Sequence, residues 1–353
     1  MAAQATPLNA GTTGILSALA AAALFGASTP FAKLLLGEVS PLMLAGTLYL
    51  GSGIGLAAWL VLGRSSIAPF ARGDWPWIAG AVLAGGVAGP ALLMFGLTRT
   101  DAGSAALLLN LEAVLTAAIA WTVFRENVDR RVFAGMGAIV AGGVLLSLGE
   151  APDAHGLLGP ALIAAACLAW AIDNNLTRRV SGGDAVALAC LKGIVAGAAN
   201  VALALGAGAA LPAAGPLAAA ALLGLVGYGV SLVLFIVALR HLGTARTGAY
   251  FSVAPFFGAV LSLALLGERP GAAFWGAAAL MALGVWLHLS ERHAHEHAHE
   301  AMEHSHPHVH DEHHRHAHDF AWDGREPHLH PHRHEPLAHS HPHYPDLHHR
   351  HTH

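Results

Sequence analysis

Residues 97–127, LTRTDAGSAALLLNLEAVLTAAIAWTVFREN, and residues 239–269, LRHLGTARTGAYFSVAPFFGAVLSLALLGER, decide how this chain is built. They overlay without a gap at a shift of 142 residues, so Leu97 meets Leu239 and Glu126 meets Glu268. Each opens on a polar turn, runs through a stretch dominated by small and apolar residues, and ends at a glutamate beside an arginine, Arg125 or Arg269. After each glutamate comes a short polar turn and a further Gly/Ala-rich run. A second pairing lies earlier. FGASTPFAK, Phe25–Lys33, sits over WAIDNNLTR, Trp170–Arg178, at a shift of 145. Small and polar residues interrupt both runs, and both end in a cation. Self-similarity at a nearly fixed displacement marks a duplicated unit.

Outward from the repeat, apolar runs fill most of the chain. Of 353 residues, 55% are hydrophobic and only 11% charged. A soluble domain carries about 25% charged residues, so this chain cannot cover a water-facing surface of its size. Ten apolar segments stand out, at about 14–36, 41–62, 76–98, 103–123, 132–149, 158–179, 184–206, 214–239, 244–266 and 270–290. Each is long enough, or nearly so, to cross about 30 Å of hydrocarbon at about 1.5 Å per residue. The runs favour Ala, Leu and Gly over alternation, which suits helices packed through small residues. The expected fold is an all-α integral membrane protein: ten transmembrane helices as two inverted five-helix repeats, followed by a disordered C-terminal tail. Residues 1–13 form an N-terminal segment, 14–149 the first repeat, 158–290 the second and 291–353 the tail.

The inversion follows from the odd number of spans per half. Lys and Arg in short loops set the orientation. With the N-terminus cytoplasmic, inside ends hold Arg64, Arg72, Arg125, Arg130, Arg131, Arg178, Arg179, Arg240 and Arg246, against Lys33, Arg99 and Arg269 outside. Both termini are therefore expected in the cytoplasm, with the chain in the inner (plasma) membrane. Glu126 then faces the cytoplasm and Glu268 the outside. Inverted repeats commonly serve alternating access, with the site between the halves.

Several classes fall away. No basic patch of the kind nucleic acid needs is present. Cys167 and Cys190 lie in apolar segments without a CxxC spacing, and read as small core residues. The N-terminal segment has no Lys or Arg, so the first apolar run reads as a retained helix. No Walker loop occurs, and no nucleophile-and-base constellation supports an enzyme. No cofactor is required.

The sequence resembles the drug/metabolite transporter superfamily, specifically its EamA-type ten-helix carriers. The resemblance covers about residues 14–290 and is carried by LFGASTPFAK, LAWAIDNNLTRR and the paired helix ends AWTVFREN and LALLGERP. Its strongest stretch is VAPFFGAVLSLALLGE, Val253–Glu268, including Pro255; the matching position in the first half is Ala113, a departure. The resemblance implies a secondary carrier of small organic solutes, often an exporter.

Charge inside the bilayer costs about 2.5–3.5 kcal/mol on insertion scales, so polar residues within spans need a reason. Asp173, Asn174 and Asn175 form the most polar point within a span. They read as substrate-binding or coupling residues, or as interhelical pairing with Lys192. An Asp173→Asn change should stop transport and spare folding in the first case, and damage folding in the second. Asn110 and Glu112 lie mid-way along the fourth span; two residues apart, they do not share a helix face. Glu112 is a candidate proton carrier or the partner of a buried cation such as Lys192. Glu126 and Glu268 sit at helix ends, where they fix loops. Trp170 falls beside Asp173, while Tyr228 and Tyr250 lie within spans of the second half. Trp59, Trp75, Trp77, Trp121 and Trp275 fall at expected interfaces.

The tail is unlike the rest. It holds 23 of the 26 histidines. HAHEHAHEAMEHSHPHVHDEHHRHAHD places His293, His295, His297, His299, His304, His306, His308, His310, His313, His314, His316 and His318 within 27 residues. Imidazole suits Zn²⁺, Ni²⁺, Cu²⁺ and Co²⁺, and the interleaved acids add oxygen donors. With almost nothing apolar to bury, such a chain is expected to be disordered. The expected partners are a small-molecule solute, the lipid bilayer and divalent metal at the tail; a homodimer stays open. The leading reading is an organic-solute carrier with a metal-binding appendage. The alternatives are a divalent metal (Zn/Ni/Co) efflux carrier and a membrane-anchored metal sensor without transport.

Overall fold

The computed structural model describes residues 7–63, 70–123, 130–150, 156–178, 180, 185–289, 294–299, 302–308, 328–334 and 337–342. Two units separate, Met1–Glu291 and Arg292–His353. In the first, helices occupy all ten expected segments. They are α1 (Pro7–Leu35), α2 (Pro41–Leu62), α3 (Trp75–Ala81), α4 (Gly89–Leu97), α5 (Ala102–Leu108), α6 (Leu111–Thr122) and α7 (Arg130–Glu150). Then come α8 (Leu158–Arg178), α9 (Ala185–Gly206), α10 (Ala214–Gly224), α11 (Ser231–Phe251), α12 (Ala254–Leu266) and α13 (Ala272–Leu289). Among the described residues, seven helical runs are long and apolar enough to cross a membrane, and α12 and Ala272–Leu287 are shorter apolar helices. The 21-residue α8 is also long enough to span; its apolarity is diluted by Asp173, Asn174 and Asn175.

Two irregularities recur at the repeat displacement. A π-helical stretch, Val82–Ala88, joins α3 to α4, and another, Leu225–Val230, joins α10 to α11. Turns interrupt the spans at Leu109–Asn110 and again at Ser252–Val253. Pro255 begins the helix after the second break, while the first break forms without a proline.

The loop expected near 240–243 lies inside α11, where helical hydrogen bonding continues through the reversal. The rings of Phe235 and Phe251 stand 4.9 Å apart. Sixteen residues of straight helix would separate them by about 24 Å, so the chain doubles back between them. Leu242 lies against Gly14, and Phe251 returns to Phe25 at 5.5 Å.

The halves interleave. α1 packs on α11 and α12, α2 on α9 and α10, α4 and α6 on α8, α7 on α13, and α5 on α12. Small residues let these contacts close: a Cβ on Gly26 would collide with the carbonyl of Ala254 in α12. Leu44, Leu48, Met94, Leu97, Leu107, Ile139, Ile163 and Met281 are fully buried in the centre. Large apolar groups such as Leu62, Leu83 and Val260 are exposed, as a lipid-facing surface requires. The five expected interface tryptophans are exposed as well.

In the tail, expected from composition to be disordered, the described residues pair as two antiparallel ribbons. β1 (Ala294–His299) pairs with β4 (Leu337–Pro342), and β2 (Met302–His308) with β3 (His328–His334). The register sets His295 opposite His341, His297 opposite His339, His304 opposite His332, His306 opposite His330 and His308 opposite His328. Isolated two-stranded ribbons are marginal in water, so this pairing fits a tail with no core of its own. His293, His310, His313, His314, His316 and His318 lie outside the described residues.

Candidate functional site

The polar point of α8 is also its most connected. Lys192, on α9, donates to both oxygens of Asp173, at 2.6 Å to Oδ1. Thr177 Oγ1 adds a bond to Oδ1 at 2.8 Å. The expected alternative of Asp173 paired with Lys192 is the arrangement found. Gly85, in the first π-helical stretch, makes room for it, because a Cβ there would land on the Asp173 carboxylate. Gly85→Ala should therefore displace the ion pair and destabilise the fold by about 1–3 kcal/mol. A fall in melting temperature, absent from an Ala substitution at the open position Gly137, measures this.

The π-helical stretch has a second consequence. Its altered hydrogen-bond ladder leaves carbonyls available to side chains. Gly85 O accepts from Tyr49 OH and from Trp170 Nε1, both at 2.9 Å. Asn200 Nδ2 donates to Gly86 O and Val87 O at 3.2 and 3.3 Å. Asn200 Oδ1 is fully buried and has no hydrogen-bond partner among the described residues. Sequence reading missed Tyr49 and Asn200; for Asn200, the only amide in α9 and its only strongly polar residue besides Lys192, that isolation was the available signal.

Glu112 faces α8 rather than Lys192. Asn174 Nδ2 donates to Glu112 Oε1 at 2.9 Å and to Thr116 Oγ1 at 3.3 Å. Asp173 and Lys192 lie within electrostatic reach of Glu112. Glu112, Tyr49 and Tyr228 are half-buried and Asn174 is exposed. Aromatic rings run on nearby, from Tyr49 to Tyr228 at 5.8 Å and from Tyr228 to Phe25 at 5.7 Å.

Two of the predicted residues are placed elsewhere. Asn175 Nδ2 bonds Ala171 O and Thr116 O, so it pins α8 to α6. Asn110 Nδ2 bonds Leu107 O and approaches Met281 Sδ at 3.9 Å, so it closes the turn before α6. Asn110 and Glu112 thus face different neighbours, as their spacing predicts. Cys167 and Cys190 are both free. Glu268 fixes a helix end, bonding the backbone N–H groups of Ala102 and Gly103. Arg125 and Glu126 lie outside the described residues.

The family model for the EamA-like transporter family matches residues 12–148 and again residues 157–290. The chain belongs to the EamA-like transporter family. As a member it is a multi-pass membrane transporter of small substrates rather than an enzyme. An uncharacterized transporter from Methanothermobacter thermautotrophicus is 27% identical over 274 residues, 72% of this chain and 80% of its own. The probable 4-amino-4-deoxy-L-arabinose-phosphoundecaprenol flippase subunit ArnE of Pseudomonas paraeruginosa is 42% identical over 88 residues, 25% of this EamA-like chain and 74% of its own. A crystal structure at 19% identity superposes with a TM-score of 0.58, covering 79% of this chain and 95% of its own. At that identity it speaks to the fold alone.

Proposed function

We propose that this EamA-like protein is a secondary carrier exporting a small organic solute by alternating access between two five-span repeats of opposite orientation. Both termini face the cytoplasm and the spans lie in the inner membrane. The solute sits between α2, α6, α8, α9 and the Leu225–Val230 stretch, against Glu112, Asn174, Tyr49 and Tyr228. The observation that carries this reading is the accessible Glu112–Asn174 pair, bonded between α6 and α8, beside a matched Asp173–Lys192 pair. A carboxylate held in place by an amide can take up a proton or bind a polar solute. A metal-efflux core would need converging anionic or imidazole ligands in the spans. Asp173 is instead occupied by an ammonium.

The test is flux in proteoliposomes across a metabolite panel, with and without a proton gradient. Amino sugars belong in the panel, because one relative is a flippase subunit for an amino-sugar lipid. Glu112→Gln should lower flux of the active solute by roughly ten- to a hundredfold. Unchanged flux in Glu112→Gln and Asn174→Ala would move the site elsewhere. Movement of zinc or nickel without any organic solute would overturn the reading.

A further inference from the structure

Glu268 does more than tidy a loop. α5 begins at Ala102, and Asp101 stands at its N-cap position with φ −62° and ψ 145°, yet makes no side-chain cap bond. The first N–H groups of a helix need acceptors. Here they come from the other half of the chain. Ala102 N–H donates to Glu268 Oε1 at 2.7 Å, and Gly103 N–H to Oε2 at 2.9 Å. These bonds are charge-assisted and aligned with the helix dipole. Gly103 permits the approach, since a Cβ there would stand 2.9 Å from Oε2. Gly267, at φ +66°, ends α12 in the left-handed conformation and leads the chain into Glu268.

Lys33 holds the same turn from the other side. Its Nζ donates to the carbonyls of Leu97 and Thr100, the second at 2.9 Å. It also lies within electrostatic reach of Asp101 and Glu268. The last carbonyl of α4, a carbonyl of the following turn and the first N–H groups of α5 are thus gripped by α1 and by the residue two past the end of α12.

What is gripped is a short helix bounded by a turn. α5 is seven residues long, buried throughout, and stops at the Leu109–Asn110 turn. Glu112 lies just beyond that turn, about 15 Å along the span from Ala102. The residue placed to cap α5 locally leaves the task to a residue of the other repeat. A cap made across two repeats breaks if their ends part.

We propose that Glu268, with Lys33, is a releasable latch on α5. With the carboxylate bound, the half-helix closes the solute path at this end of the membrane unit. With it released, α5 swings about Leu109–Asn110 and opens the path to Glu112. Glu268 is a positioning residue, acting through α5. The latch rests on the carrier reading for its purpose, but its test needs no solute, so a failed solute screen and a failed latch are distinguishable.

The experiment uses the full chain in lipid nanodiscs, with Cys167→Ala and Cys190→Ala. A single reporter, Ala105→Cys or Ile139→Cys, both at 0% exposure, is modified with a water-soluble maleimide. Glu268→Gln replaces one acceptor oxygen by an NH2 that cannot accept. Ala105→Cys should then label roughly tenfold faster or more, with Ile139→Cys unchanged and Glu268→Asp intermediate. Equal acceleration at both reporters, or none at Ala105→Cys, would make Glu268 a plain structural cap and overturn the latch. If Glu268→Gln does not fold, a Gly103→Cys/Glu268→Cys disulfide carrying Ala105→Cys answers the same question. With modification read at position 105 alone by peptide mass, and the reductant removed first, the oxidised form should label there at or below the parent rate and the reduced form faster; no change at position 105 on reduction overturns the proposal.

Discussion

Asp173→Asn is expected to abolish transport and also to destabilise the protein, because it strands Lys192. Read from sequence alone, the substitution should spare folding if Asp173 acts on solute or proton. The geometry changes that expectation. Both Asp173 oxygens accept from the Lys192 ammonium, and Thr177 adds a third bond. Removing one partner of a buried pair costs about 3–5 kcal/mol, whereas replacing both is often neutral. Asp173→Asn should therefore melt at a clearly lower temperature, and Asp173→Asn/Lys192→Met should recover the parent melting temperature. Flux separates the remaining roles. A double variant that folds but does not transport assigns the pair to the transport cycle. One that folds and transports makes the pair packing alone. Asp173→Asn with parent stability and parent flux would contradict both the pairing energetics and the site.

The fold was legible because its main signal is local. Uninterrupted apolar runs bounded by GEVSP, RTDAG or GERPG reveal helices wherever they later pack. The duplication was legible because two stretches aligned without a gap, and the family model falls twice on the chain, at 12–148 and 157–290. The π-helical stretches were not legible. Val82–Ala88 and Leu225–Val230 read as more Gly-rich span, and only their hydrogen bonding sets them apart. The polar cluster was half legible. Bilayer cost singled out Asp173, Glu112 and Asn174, but facing is decided by neighbours on other helices. Asn175 and Asn110 are as polar as Asn174, yet they close helix contacts. Tyr49 enters through a carbonyl 36 residues away, and Glu268 through N–H groups 166 and 165 residues away. No periodicity predicts such partners.

Deleting residues 291–353 should remove nearly all metal binding and leave solute flux at the parent level. The deletion takes 23 of 26 histidines and none of the thirteen helices described above. The membrane unit and the tail are separate compact units, so insertion and folding should survive. The proposal that the tail holds metal rests on spacing rather than burial. Histidines alternate along each strand, so those two apart share a face, and the register sets five pairs directly opposite one another. Opposed positions in an antiparallel ladder have Cα atoms about 4.5–5.5 Å apart. Two neighbouring pairs therefore set four histidine positions close together along a ribbon, and four imidazoles are a number that suits Zn²⁺ or Ni²⁺. At four ligands per ion, the full tail should take up on the order of five ions. Equilibrium dialysis of parent and truncated protein against zinc and nickel measures the difference. The effect on flux then separates the roles open to the tail. A buffer changes cellular metal tolerance modestly and flux not at all. A regulator loses the dependence of flux on added metal. If the truncated protein carries zinc or nickel and no organic solute, metal must pass by Glu112 and a carboxylate already held by Lys192. The organic-solute reading would then give way to metal efflux.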